Sequence, residues 1–126
     1  MITIYASRNG NSKKLKLRNS LAEDPSEEVD FKTGVDAGDR IQWVLEKDSG
    51  LQSLEEIEKV VAGDDCYVEG SVELLDGNPR KKGGVIEGKI VEISPGKGKF
   101  EKYKIAFKVP DDSDTYWHDP KIQMNA

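Results

Sequence analysis

The sequence predicts an all-β protein: a single antiparallel β-sandwich spanning residues 1–126, with seven or eight strands and one short helix or irregular crossover near residues 53–62. Three observations carry this prediction. Apolar residues alternate with polar ones in short blocks, the period of a strand with one face in a core. Clusters of Gly, Asn, Asp and Pro punctuate the blocks at short intervals, as turns do. A chain of 126 residues also buries about two-thirds of its unfolded surface, enough for one core without a covalent staple.

The elements follow in order. Ile2, Ile4 and Ala6 alternate with Thr3 and Ser7 in a first strand, and Asn9-Gly10 supplies the turn after it. A second strand over Lys13 to Leu21 places Leu15 and Leu17 inside, with Lys14, Lys16 and Arg18 outside to discourage edge pairing. Glu23 to Asp30 is acidic, contains Pro25 and reads as an exposed loop. Arg40 to Glu46 directs Ile41, Trp43 and Leu45 to one face. Between Leu51 and Ala62 the periodicity changes. Leu51, Leu54, Ile57 and Val61 follow helical spacings, and Ser53 with Glu56 matches a capping box.

Cys66, Val68, Val72 and Leu74 share a parity and predict another strand, with the thiol buried and inert. The apolar parity of the Val85–Ile93 strand shifts along its length, which predicts a β-bulge near Gly88. Tyr103, Ile105, Phe107 and Val109 make the most regular alternation in the chain and, with Trp43, the expected centre of the core. Residues 115–118 and 121–124 close the domain as two short strands.

Composition excludes several chemistries. One Cys and one His allow neither an intrachain disulfide nor a zinc site built from several such ligands. No apolar run approaches the length of a membrane helix, and Met1 to Tyr5 starts as a strand rather than a leader, so the expected location is cytoplasmic. Phosphate-loop, dinucleotide-binding and His-Glu-x-x-His motifs are all missing. The net charge of -5 is uneven: residues 1–18 and 77–108 are basic, whereas 19–76 and 109–126 are acidic. Blocks of this kind either oppose one another on the surface and steer a charged partner, or interleave and cancel.

Two segments carry a resemblance. Gly38-Asp39-Arg40-Ile41-Gln42-Trp43-Val44 is similar to a Gly-Asp-x-apolar-x-Trp-apolar strand of cupredoxin folds, and Tyr103-x-Ile105-x-Phe107-x-Val109 to a late Tyr-containing strand of cupredoxin-like and immunoglobulin-like domains. Asp119-Pro120-Lys121-Ile122 resembles the end of some bacterial sandwich domains. The resemblance implies the fold and not the metal. A blue-copper centre takes two His, one Cys and usually an axial Met, whereas His118 is alone, Cys66 lies far upstream, and Met124 follows no Cys-x-His pattern. No cofactor is expected.

The remaining candidates are weighed on chemistry. His118 and Asp119 are adjacent on a strand and point to opposite faces, which disfavours a base with its orienting carboxylate, and the chain is expected not to be an enzyme. Asp111-Asp112-Ser113-Asp114 lacks the Gly and Glu of a calcium loop and reads as a solvated turn. Two basic loops, Arg80-Lys81-Lys82 and Lys97-Gly98-Lys99, stand out as contacts for a protein partner. Neither interleaves aromatic residues with its charges, which speaks against nucleic acid. The alternative is a carbohydrate or other small ligand stacked on Tyr116 or Trp117, only one of which can face outward. The oligomeric state is open, and uncovered edge strands would allow pairing.

Overall fold

Alternating sequence makes strands, and every regular element in the computed structural model, which describes residues 1–20 and 31–126, is a strand. In chain order they are β1 (Ile2–Arg8), β2 (Leu15–Asn19), β3 (Lys32–Val35), β4 (Arg40–Leu45), β5 (Ser53–Lys59), β6 (Arg80–Lys82), β7 (Val85–Lys89), β8 (Phe100–Lys108), β9 (Tyr116–His118) and β10 (Lys121–Met124). The acidic loop expected over Glu23–Asp30, and the expected strand end at Leu21, lie outside the described residues.

One sheet has the order β2-β1-β4-β7-β6 and the other β3-β10-β8-β5, with β9 added to β8 beyond β10. The all-β class holds, with ten strands in place of seven or eight. Both sheets are mixed, which corrects the antiparallel expectation. β1 runs parallel to β4, and β3 parallel to β10. The chain leaves the first sheet after β2, visits the second as β3 and returns as β4, so strands that are distant in sequence lie side by side in the same direction. Local alternation carries no information about such pairs.

The expected helix or crossover near 53–62 is instead the strand β5. Its register against β8 slips between Leu54 and Glu56, leaving Glu55 as an extra residue. The bulge resets the side-chain parity, so Leu54 and Ile57, three residues apart, both enter the core. That spacing imitates a helical face. Val61, the last residue of the apparent helical stripe, is exposed while Val60 is buried.

Two further expectations change. Cys66 to Leu74 is not a strand but a chain of turns, with Val61, Asp64 and Val68 carbonyls accepting from the amides of Asp64, Tyr67 and Ser71. Register runs unbroken through Gly88 opposite Ile41, so no bulge occurs there. The strand simply ends at Lys89, Ile90 bridges to Leu75, and Ile93 is exposed.

The sheets share one apolar core to which Ile4, Leu17, Ile41, Trp43 and Ile86 contribute from the first, and Tyr103, Ile105, Phe107 and Ile122 from the second. At its centre the Trp43 indole N–H donates to the Tyr103 hydroxyl at 3.1 Å, and the rings meet edge to face with centroids 5.4 Å apart. Burial pushes the Tyr103 hydroxyl far above its ordinary range, so it stays neutral. Replacing Tyr103 with Phe strands a buried donor. Urea unfolding is expected to show Tyr103→Phe losing about 1–3 kcal/mol with an unchanged m-value; an unaltered midpoint would mean the indole finds another acceptor.

Candidate functional site

The outward face of the first sheet follows from its alternation. Ile41, Trp43 and Ile86 point inward, so Arg40, Gln42, Val44, Val85, Glu87 and Lys89 point away from the core. Register then aligns them in rows. Arg80 lies beside Glu87 and Gln42, and Lys82 beside Val85, Val44, Tyr5 and Arg18. The second row is a half-buried apolar stripe with a cation at each end. Arg40, Arg80, Lys82 and Lys89 also border a depression of about 270 Å³, in which Asp76 and Glu87 are the only carboxylates among the described residues. Arg18 is paired with Glu46 and Lys89 with Glu92, whereas Arg40, Arg80 and Lys82 make no ion pair among the described residues.

The basic residues singled out in the sequence therefore do not form one patch. Arg80 and Lys82 share the outer face. Lys81, between them, points the other way and is paired with Glu55 at 3.4 Å. Lys97 borders a separate groove with Lys32 and Gln123 on the second sheet, and Lys99 is exposed where its carbonyl accepts from Met124. Sequence reading missed Arg40 and Lys89, although the parity of Arg40 against Trp43 already placed it outside.

The two aromatic candidates separate as alternation requires. Tyr116 packs on Phe107, with centroids 6.0 Å apart, and donates to Asp112 at 2.7 Å. Trp117 is 45% exposed and stands opposite Ala106 on β8. It forms one wall of a groove of about 360 Å³ whose other walls are Gly63, Asp64, Asp65, Cys66 and Lys104. Cys66 is half-buried rather than sealed in the core, and burial raises its thiol above the ordinary value.

The other charged groups fasten the structure. Arg8 grips Asp111 with two bonds of 2.6 and 3.1 Å, and Lys13 reaches both Asp111 and Asp112 at 3.0 Å, tying the β1–β2 turn to the turn after β8. Arg8 and Lys13 hold the Asp111 carboxyl below its ordinary value, and the Tyr116 hydroxyl together with Lys13 does the same for Asp112. The basic start of the chain is thus partly cancelled by its acidic end. Glu101, buried on β8, accepts from the amides of Leu74 and Leu75 at 2.9 and 2.7 Å, and Lys59 donates to the Leu75 carbonyl at 2.8 Å. Lys102, next to Tyr103 on β8, is buried and donates to the Asp119 carbonyl at 2.7 Å.

His118 is buried on β9, and its Nε2 has no hydrogen-bond partner among the described residues. Burial lowers its pKa, with Lys102 and Lys14 acting in the same direction and Asp119 opposing. Among the described residues no three His, Cys, Asp or Glu side chains are grouped to hold a metal, and no helix is long and apolar enough to cross a membrane. Compared with protein-family models the chain matches none, and a search of curated proteins finds no match.

A histidine with a depressed pKa has a defined pH signature. The unfolded chain takes up a proton near pH 6.5 and the folded chain only at lower pH, so the stability present above that value is lost as pH falls. His118→Gln is expected to remove a slope of at most about 1.4 kcal/mol per pH unit below neutrality. Chemical denaturation at several pH values would read it, and identical slopes in the two proteins would exclude His118 as the source.

Proposed function

We propose that this chain is a non-catalytic, cytoplasmic interaction module on the cupredoxin-like or immunoglobulin-like sandwich plan that its strand motifs resemble. Its partner is an acidic protein surface, which docks on the outer face of β4, β7 and β6. The observation that carries this reading is a set of three cations that make no ion pair among the described residues, Arg40, Arg80 and Lys82, beside the half-buried stripe Val85, Val44 and Tyr5. A partner carrying carboxylates around an apolar residue or two complements it in both respects. The charges accelerate encounter and set orientation, and the stripe supplies the area removed from water.

The non-catalytic part of the reading rests on how the reactive groups are used. The single His has its free nitrogen sealed from solvent, and the single thiol is held protonated by burial. The carboxylates with the strongest contacts serve backbone amides or cations. None of these groups faces another in the way that a nucleophile faces its base.

The test is charge reversal on the exposed edge, where folding is not at stake. Fluorescence anisotropy would follow a labelled peptide of alternating Glu and Leu with the native chain and with the Arg80→Glu, Lys82→Glu double variant. The native chain is expected to bind, more weakly as salt rises from about 50 to about 200 mM, and the double variant at least about tenfold more weakly. Equal binding by both proteins, or none by the native chain, would contradict the proposal.

A further inference from the structure

We infer that the Trp117 groove is a second, independent binding site, and that it takes a neutral oligosaccharide. The groove lies on the second sheet, built by the start of the turn segment after β5 against β8 and β9. Its construction explains why the indole is on show. The small Ala106 stands opposite Trp117 across the β8–β9 ladder, and Glu56 stands opposite Ala106 on β5. The turn Gly63–Cys66 is held as the facing wall because the Asp64 carboxylate accepts from the Val61 amide at 2.9 Å while its carbonyl accepts from Tyr67.

The lining discriminates among ligand classes. Apart from the Trp117 ring and the Lys104 stem, the walls are backbone, carboxylate and thiol, so an aliphatic peptide side chain would bury itself against little but the indole. A cationic ligand finds its place taken, since Lys104 Nζ already sits 5.4 Å from the Trp117 ring centroid. An anionic ligand meets two carboxylates, Asp64 and Asp65, against one ammonium. What remains is a neutral ligand with one apolar face and many hydroxyls. A pyranose ring stacks its C–H face on an indole, and its hydroxyls suit the two kinds of polar group at the rim. Asp65 accepts and Lys104 donates. Asp65 has no hydrogen bond or ion pair among the described residues and is therefore available. The groove of about 360 Å³ opens to solvent and is not an enclosed cavity, so a sugar stacked on the indole can extend beyond it into a chain.

The chain carries its own control for the test. It has two indoles, Trp43 buried against Tyr103 and Trp117 in the groove. In proton–nitrogen spectra of the whole chain, each gives a separate indole signal. Cellohexaose, xylohexaose and hexa-N-acetylchitohexaose would be titrated as neutral probes, with a heparin hexasaccharide as an acidic one. At least one neutral probe is expected to move the Trp117 signal saturably, at a concentration on the order of 1 mM, and to leave Trp43 in place. Trp117→Ala should abolish binding as read by shifts of the surrounding amides, and Asp65→Asn should weaken it about tenfold, with the Trp43 signal certifying the fold of each variant. No movement of Trp117 with any neutral probe, preference for the acidic one, or undiminished binding by Trp117→Ala would each overturn the inference.

Discussion

The contact between Trp43 and Tyr103 is the constraint from which the rest of the structure takes its bearings. One residue comes from the middle of the first sheet and the other from the longest strand of the second, and both are fully buried. Their hydrogen bond satisfies two polar groups that could not otherwise remain in a dry core, so the sheets are held in one relative position rather than merely pressed together. Once that position is set, alternation decides which side chains of β4, β7 and β6 point away from the core. The cationic rows of β4, β7 and β6, and the exposed indole of β9, are outward consequences of it.

A division of labour follows among the charges. At one end, Arg8, Lys13, Asp111 and Asp112 are spent on joining two turns. On the second sheet, Glu101 and Lys59 hold the segment at Leu74 and Leu75 that leads to β6. Among the described residues, Arg40, Arg80 and Lys82 on the outer face of the first sheet make no ion pair, and neither do Lys32, Lys97 and Lys99 beside the second. Pairing therefore tells the charges that join segments from those that make no ion pair among the described residues. The uneven charge along the sequence could not make that distinction, because it counts both kinds alike.

What could be read in advance depended on how local the determining interaction is. The strands around Ile4, Trp43 and Ile105 were legible because the apolar side chains that each sends into the core alternate along it over several residues. β3 escaped notice although Phe31, Thr33 and Val35 are buried in alternation, because the run is short and contains Gly34. β5 was misread because a single extra residue, Glu55, turned a two-residue period into a three-residue one. The turns after β5 were mistaken for a strand because Cys66, Val68 and Val72 happen to share a parity, while Asp64 and Gly63 impose the turns. The parallel pairs lay beyond any local pattern. Of the candidate sites, the split between Tyr116 and Trp117 was legible from alternation alone. The union of Arg80 and Lys82 with Arg40 was not, because it needs the register of three strands at once.

The central claim is that the outer face of β4, β7 and β6 is the partner-binding surface. An amide-resolved titration of the whole chain with an acidic, leucine-containing peptide addresses it most directly. Shifts are expected to cluster on residues 40–44, 80–82 and 85–89 and to leave the Trp117 groove and the Lys97 loop in place. Shifts centred on either of those regions, or scattered over every exposed lysine, would contradict it.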